Sequence, residues 1–176
     1  MFRIMLVYGA SAGSRLIVII AIGVQMNGGD FSEGSQVQGY LIMILASSLL
    51  FIGVKRYRDR ALGGVIKFWP ALKLGLGIAG VACVSYVLAW EAYLALSGID
   101  FAGQYLDSLR TSYEAEGLSG AALQAKLQPV QDMMALYEKP WFRMPITLLE
   151  PLPVCLVVAL ISAAVLRNPK ILPAKA

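Results

Sequence analysis

The sequence predicts an all-α integral membrane protein with four transmembrane helices and an amphipathic helical segment between the third and the fourth. Of its 176 residues, 58% are hydrophobic and only 15% are charged, whereas an ordinary soluble domain is about 45–50% apolar and about 25% charged. The mean hydropathy is +0.67. A globule of this length could not hide so much apolar surface, so lipid should cover it.

The first two spans are expected over residues 4–23 and 39–54. About 20 residues cross a hydrocarbon core of about 30 Å, and the shorter second run crosses if it is slightly tilted or its flanks snorkel. The first run resembles a signal peptide, but Arg15 interrupts it and no small-residue cleavage site follows. The Asn-Gly-Gly-Asp sequence at 27–30 predicts a turn between the two spans.

The third and fourth spans are expected over residues 72–96 and 141–166. Trp69 suits the membrane interface, and Pro70 suits the first turn of the third helix. Within 97–140, apolar residues recur every three or four positions on both sides of a Glu-Gly-Leu-Ser-Gly break. This spacing predicts two amphipathic helices that cap the bundle, lie on the outer leaflet or meet a partner.

Basic residues set the predicted orientation. Six Lys or Arg residues lie between 55 and 73 against the single acid Asp59, and the tail after 166 is basic again. Acids outnumber bases in the segment 97–140. Because a basic excess beside the spans marks the cytoplasmic side, both termini are predicted to be cytoplasmic and 97–140 non-cytoplasmic.

Composition removes several functional classes. The absence of His excludes imidazole bases, His-ligated metals and Ser-His or Cys-His nucleophiles. Cys83 and Cys155 lie in apolar runs, where packing is a plainer role than a disulfide or a reactive pair. The sequence predicts no catalytic set, cofactor or metal site. It predicts no nucleic-acid partner either, because no basic surface with interleaved aromatic residues extends beyond the 55–60 stretch.

Three ionisable residues well inside the predicted spans are candidates for an intramembrane polar site: Arg15, Glu91 and Glu150. A charge at the bilayer centre costs about 2.5–3.5 kcal/mol on insertion scales, so each is expected to face the interior and find a partner. At about 1.5 Å per residue, Arg15 lies about 14 Å from the outer edge, Glu150 about 12 Å and Glu91 about 7 Å. Glu150 is therefore the predicted partner of Arg15. The pair could hold two helices in register or form a proton- or substrate-linked site, or Glu150 could be neutral.

A broken fourth helix is predicted directly after Glu150. Pro151 and Pro153 lack N–H groups, which leaves carbonyls near Thr147 and Leu149 without helical donors. Transporters use such broken helices to bind ions, where protein or water satisfies the freed carbonyls. A kink that only shapes packing is the alternative.

Two further patterns indicate contacts. The stretch Lys55-Arg56-Tyr57-Arg58-Asp59-Arg60 is expected to be a solvated loop at the cytoplasmic edge; alternatively, Lys55, Arg56, Arg58 and Arg60 contact anionic lipid headgroups or a phosphate. Small residues four apart, at Gly9 and Gly13 and again from Gly75, predict close helix approach, within the chain or in a homo-oligomer.

The order of these motifs resembles the domain of unknown function 4199 family. The resemblance rests on KRYRD with the following GG, the Trp-Pro start of the third span, the EGLS break, and KPWFRMPITLLEPLPVCLVVALISAAVLRNPK, and it covers about residues 3–170. Its most specific pieces are Lys55-x-x-Arg58-Asp59 and the stretch from Pro140 to Pro153. The resemblance implies a small four-helix protein of the bacterial cytoplasmic membrane, without an established activity.

The leading expectation is a non-enzymatic multi-pass membrane protein that supports an assembly or binds a partner, besides its contact with the bilayer. The alternative is a small transporter or permeation protein that uses the Arg15 and Glu150 pair and the broken helix; a lipid-modifying enzyme comes third because the carboxylates are few and scattered.

Overall fold

The computed structural model describes the backbone of residues 1–26 and 33–174, and their side chains except for 16, 17, 19–26, 33–40 and 42. The described residues form seven α-helices and no strand, which confirms the all-α prediction. The helices are α1 (Phe2–Met26), α2 (Glu33–Ala61), α3 (Phe68–Ser97), α4 (Phe101–Ala115), α5 (Gly120–Tyr137), α6 (Pro140–Leu149) and α7 (Leu152–Leu166).

Helix α3 is the centre of the bundle. It packs on α1, α2 and α7, and both α1 and α7 also pack on α2. The main core lies where these four helices meet and is built from small and branched side chains of α2, α3 and α7, among them Leu50, Leu74, Ile78, Ala159 and Leu166. A second cluster of Met43, Tyr86 and Trp90 lies nearer the α4 end.

The small residues of α1 and α3 bring helices together within the chain. A Cβ added at Gly9 would fall 2.6 Å from the Cβ of Val81, and one added at Gly13 would fall 2.7 Å from the Cβ of Ser85. Gly75 lies in the same way against Ala159 of α7. The predicted close approach is therefore made by α1 on α3 and by α3 on α7.

The segment between α3 and α6 forms the two predicted helices. The α3 helix ends at Gly98, which has a positive φ of 63°, and Asp100 begins α4 by accepting a hydrogen bond from the backbone N–H of Gly103. Leu123, Leu127 and Met134 of α5 are buried. The α4 and α5 helices pack on each other, and α5 also packs on α6.

The fourth apolar segment is interrupted, as predicted. Helix α6 ends at Leu149 and α7 begins at Leu152, with Glu150 and Pro151 in the turn between them. The backbone N–H of Glu150 still bonds to the carbonyl of Ile146, so the missing N–H of Pro151 marks the place where the helical pattern stops.

Two helical segments among the described residues are long and apolar enough to cross a membrane, Phe68–Ser97 and Pro140–Leu166. They contain the predicted third and fourth spans. A core helix of a soluble protein can meet the same criteria, so the four-span arrangement stays a prediction. The predicted turn at 27–30 lies outside the described residues.

The basic stretch after the predicted second span is helical, so its prediction as a loop was wrong. Helix α2 continues to Ala61, and the chain turns only at Gly63 and Gly64, which have positive φ angles of 63° and 90°. The N–H of Gly64 closes this turn on the carbonyl of Arg58 at 2.9 Å. The charged residues 55–60 therefore belong to α2, and the helix ends only at the glycines that follow.

Candidate functional site

The best-paired charge inside the apolar helices is Glu91 of α3. Its two carboxylate oxygens accept hydrogen bonds from Nε and Nη2 of Arg143 at 2.6 and 2.5 Å, and both side chains are largely covered. Arg143 also donates to the carbonyl of Glu138 at 3.2 Å. This two-bond geometry is the strong form of a carboxylate–guanidinium pair, so it ties α6 to α3 next to the end of α5.

A polar and aromatic cap surrounds that ion pair. The indole N–H of Trp90 donates to the hydroxyl of Tyr137 at 3.0 Å, and this hydroxyl lies 3.4 Å from the hydroxyl of the buried Thr147. Burial raises the pKa of Tyr137 above its usual value, although its hydrogen bonds to Thr147 and Trp90 act in the opposite direction. The phenol therefore stays protonated and can donate. Phe101 of α4 packs edge-on against Trp90.

Glu150 lies at the break of the fourth segment and is joined to α3. The hydroxyl of Tyr86 donates to its Oε2 at 3.0 Å in a partly buried contact, although Glu150 as a whole residue is exposed. Pro151 is buried directly behind it, whereas Pro153 in the first turn of α7 is exposed. The carboxylate at the break is thus anchored to α3 through the buried Tyr86.

Arg15 does not meet Glu150. Its side chain is exposed, and it forms no ion pair with any residue that the structure describes. The predicted partnership was therefore wrong. Depth along the helix axis did match the two residues, but depth carries no information about the direction in which each side chain leaves its helix.

A small cavity lies beside the break, between α1, α2, α3 and α7. Its volume is about 10 Å³, close to the space that one water needs. Ser47, Cys83, Tyr86 and Cys155 supply the polar part of the lining. Both cysteines are free and buried, and Sγ of Cys155 is 3.7 Å from Oγ of Ser47.

The basic end of α2 divides into one buried arginine and several accessible cations. Arg58 is fully buried; it donates to Asp59 at 2.7 Å and, from its two terminal nitrogens, to carbonyl oxygens of the C-terminal segment: Leu166, Ile171 and Leu172. Lys55 bonds to the same Asp59 at 2.5 Å. Arg58 therefore anchors the tail, and a lipid headgroup cannot reach it in this structure.

The other two arginines of the predicted contact are exposed. Arg56 donates to the hydroxyl of Tyr8 at 2.9 Å, which links α2 to the start of α1. Arg60 lies in the last turn of α2 with its side chain exposed. Of the four predicted headgroup contacts, these two arginines and the half-buried Lys55 face outward.

Sequence reasoning missed Arg143, Tyr86 and Tyr137 as members of the site. Arg143 lies two residues into the predicted fourth span, about 3 Å below the outer edge, and could have been counted with the charges inside spans, on the same side of the membrane as Glu91. Tyr86 and Tyr137 carried no comparable signal, because a tyrosine in an apolar run or on an amphipathic face has no special spacing.

Together these features define a helical-bundle protein in which the Arg143–Glu91 ion pair and the Tyr86–Glu150 hydrogen bond join α3 to α6 and to the helix break. The described residues contain no cluster of three or more potential Cys, Asp or Glu metal ligands. The chain belongs to the family described as protein of unknown function (DUF4199), whose model matches residues 8–168. This match confirms the resemblance found in the sequence. No curated protein and no solved structure matches the chain.

Proposed function

We propose that the chain is a four-span protein of the bacterial cytoplasmic membrane, with both termini cytoplasmic, and that its role is non-enzymatic. In this proposal it binds a membrane-protein partner or a further copy of itself within an assembly. The predicted spans correspond to α1, α2 and α3, with α6 and α7 together forming the fourth.

The observation that carries the proposal is the unpaired Arg15. A charge at the centre of a span costs about 2.5–3.5 kcal/mol, and snorkelling relieves that cost mainly near helix ends. Arg15 lies near the middle of the 25-residue α1, it is exposed, and it has no ion-pair partner among the described residues. Glu91 has its own partner in Arg143. An acidic or strongly accepting group from another chain would satisfy the charge of Arg15.

Crosslinking from α1, compared between variants of Arg15 and of Arg3, tests this proposal. A photo-crosslinking side chain at the exposed Val18 should trap a second polypeptide in native membranes. Mass spectrometry of the crosslinked product gives the identity and stoichiometry of that polypeptide. Arg15→Gln should abolish the crosslink. Arg3→Gln is the matched control, because Arg3 is also exposed on α1 but lies at the helix end, where its charge can reach headgroups.

Two results would contradict the proposal. One is a chain that stays uncrosslinked and monomeric in detergent-free membrane discs. The other is a crosslinked product that Arg15→Gln and Arg3→Gln affect equally, since the central charge would then have no special part in binding.

The exposed cations at the end of α2 extend the proposal to lipid. Arg56, Arg60 and Lys67 are accessible, and each basic residue near an anionic membrane surface contributes about 1 kcal/mol of attraction. We expect Arg60→Gln to weaken retention of anionic lipid during purification. Arg110→Gln, at an exposed position of the predicted opposite side, should leave retention unchanged.

A small transporter is the second candidate, favoured by the hydrogen bond between Tyr86 and Glu150 at the helix break. There Tyr86 joins the carboxylate of Glu150 to a cavity that lies between four helices. Proton or cation flux in vesicles that Glu150→Gln abolishes and Glu138→Gln preserves would support transport. Absence of any flux above empty vesicles would exclude it.

A further inference from the structure

We propose that the thiols of Cys83 and Cys155 form a binding site for a soft monovalent metal cation, for which copper(I) is the biological candidate. The proposal does not depend on the function proposed above. It assigns a ligand to a pair of side chains that neither the ion pair nor the helix break uses.

The geometry is a pair of thiols from different helices that face one small space. Cys83 lies in the middle of α3 and Cys155 in the first turns of α7; both are buried and free. Both line the cavity of about 10 Å³. A space of this size is close to what one water needs, so any ion held there must be small and single.

The ligand set selects the cation. Soft thiolates favour copper(I), whereas zinc requires about four ligands and magnesium or calcium require oxygen ligands. The chain has no His, and the described residues offer no third Cys, Asp or Glu to complete a group. Copper(I) is stably coordinated by two thiolates in a near-linear arrangement. Oγ of Ser47 lies 3.7 Å from Sγ of Cys155 and can donate a hydrogen bond to the metal-bound sulfur.

The binding step balances without a redox partner. One copper(I) ion and two thiols give a bis-thiolate complex with one net negative charge, and both thiol protons leave. Tyr86 lines the same cavity, and its hydroxyl donates to the carboxylate of Glu150. The carboxylate of Glu150 is thus one hydrogen bond away from a residue that lines the cavity, and a carboxylate can accept a proton that a thiol releases.

Silver(I), which has the same charge and no accessible redox chemistry, is the first probe. Titration of the purified, reduced protein in detergent should saturate at one silver ion per chain and release two protons for each ion in weakly buffered solution. Anaerobic copper(I), supplied in competition with a colorimetric chelator, should bind with the same stoichiometry. X-ray absorption of the copper-loaded wild-type protein should show a first shell of two sulfur atoms.

Loss of an outer-shell partner typically weakens metal affinity by about 10–100-fold. The isosteric variants Cys83→Ser and Cys155→Ser each remove a direct ligand, so each should weaken the affinity for silver(I) and copper(I) by more than that. Arg110→Gln is the control and should bind as the wild-type protein does. Retention of the same amount of metal by the double Cys→Ser variant would overturn the proposal. So would an oxygen- or nitrogen-dominated shell in the wild-type protein, which requires no variant to fold.

Discussion

Two tyrosines of α3 that lie two turns apart differ in what their hydroxyls meet. The hydroxyl of Tyr86 donates to Glu150 at 3.0 Å, whereas that of Tyr93 is buried and has no hydrogen-bond partner in the described part of the chain. A buried polar group without a partner carries its full desolvation penalty. The same substitution at the two positions should therefore have opposite effects.

We expect Tyr93→Phe to raise the free energy of unfolding by about 1 kcal/mol, because it removes an unsatisfied hydroxyl, and Tyr86→Phe to lower it by about 1 kcal/mol. Reversible unfolding in mixed detergent micelles, followed by far-UV circular dichroism, measures both changes. Destabilisation of similar size in both variants would show that the hydroxyl of Tyr93 also has a partner.

Arg58 differs from its neighbours because its hydrogen bonds hold the C-terminal segment. Its terminal nitrogens donate to carbonyl oxygens of Leu166, Ile171 and Leu172, so Arg58→Leu should release the tail and leave these carbonyls unsatisfied. We expect a loss of about 3 kcal/mol, since breaking a buried charged network is expensive. Limited proteolysis of the tail, with the exposed Arg60→Leu as control, measures the release; equal sensitivity of the two variants would contradict it.

Asp59 makes this anchor sensitive to acid. Burial pushes the pKa of its carboxyl upward, but the hydrogen bonds and charges of Lys55 and Arg58 outweigh that effect and hold the pKa below its usual value of 3.8. For a carboxyl whose folded-state pKa is depressed, the stabilisation is present above the unfolded-state pKa and is lost as pH falls through the folded-state value.

We therefore expect a contribution of roughly 0.5–1 kcal/mol that is constant at neutral pH and disappears below about pH 4. Unfolding curves of the wild type and Asp59→Asn, recorded across that range, isolate it. The two curves should converge in acid; a difference that is independent of pH would exclude an electrostatic origin.

At the scale of elements, the contact between α1 and α3 depends on glycine only where the backbones are close. Gly13 of α1 lies against the Ala82 carbonyl and Ser85 of α3, whereas a Cβ at Gly80 of α3 would meet no atom within 4 Å. Both glycines are helical, but only Gly13 is covered by a partner helix. Replacement by alanine should therefore change the stability of the protein in opposite directions at the two positions.

Gly13→Ala should destabilise the protein by about 1–3 kcal/mol through overpacking, whereas Gly80→Ala should stabilise it by up to about 1 kcal/mol because alanine loses less backbone entropy in a helix. The detergent unfolding assay measures both. If Gly13→Ala were neutral, α1 would have to shift without cost, and the close packing of the two helices would not contribute to stability.

Helices and helix breaks could be predicted from the sequence where local spacing or a proline determines them. The side-chain contacts between distant parts of the chain could not be predicted. Apolar spacing placed α4 and α5, and the missing N–H groups of Pro151 and Pro153 placed the break between α6 and α7. The burial of Arg58 depends on carbonyls more than 100 residues further along the chain. No local pattern distinguishes that arginine from Arg56 or Arg60 in the same run.

The predicted pairing of the charges inside the spans was wrong for the same reason: it depends on how distant helices pack. The depths of Glu91 and Arg143 along their helices could be estimated from the sequence. Their pairing also requires that α6 fold back onto α3 with the correct face. The break after α6 and the α4 and α5 helices determine that arrangement. Arg15 and Glu150 share a depth, yet α1 and α7 each pack on α2 and α3, and the two side chains leave their helices in directions that do not meet.

At the scale of the whole molecule, the charges separate toward the two ends of the bundle. The buried Arg58 holds the C-terminal segment beside the end of α2, so the basic residues 55–73 and the basic tail lie at one end. The α4 and α5 helices, with their excess of acids, follow the opposite end of α3. In a bilayer the basic end should face the cytoplasm.

Single-cysteine reporters at Lys67 and Lys126 test that orientation, because both side chains are exposed. In a background with Cys83→Ala and Cys155→Ala, a membrane-impermeant maleimide should label Lys126→Cys on intact cells and label Lys67→Cys only after lysis. The expectation follows from the positive-inside rule, which depends on Lys and Arg beside the spans and not on net charge. Labelling of Lys67→Cys before lysis would place the basic end outside. The exposed Arg60 would then face the wrong leaflet for anionic lipid, and the proposed contact with the headgroups of the cytoplasmic leaflet would be lost.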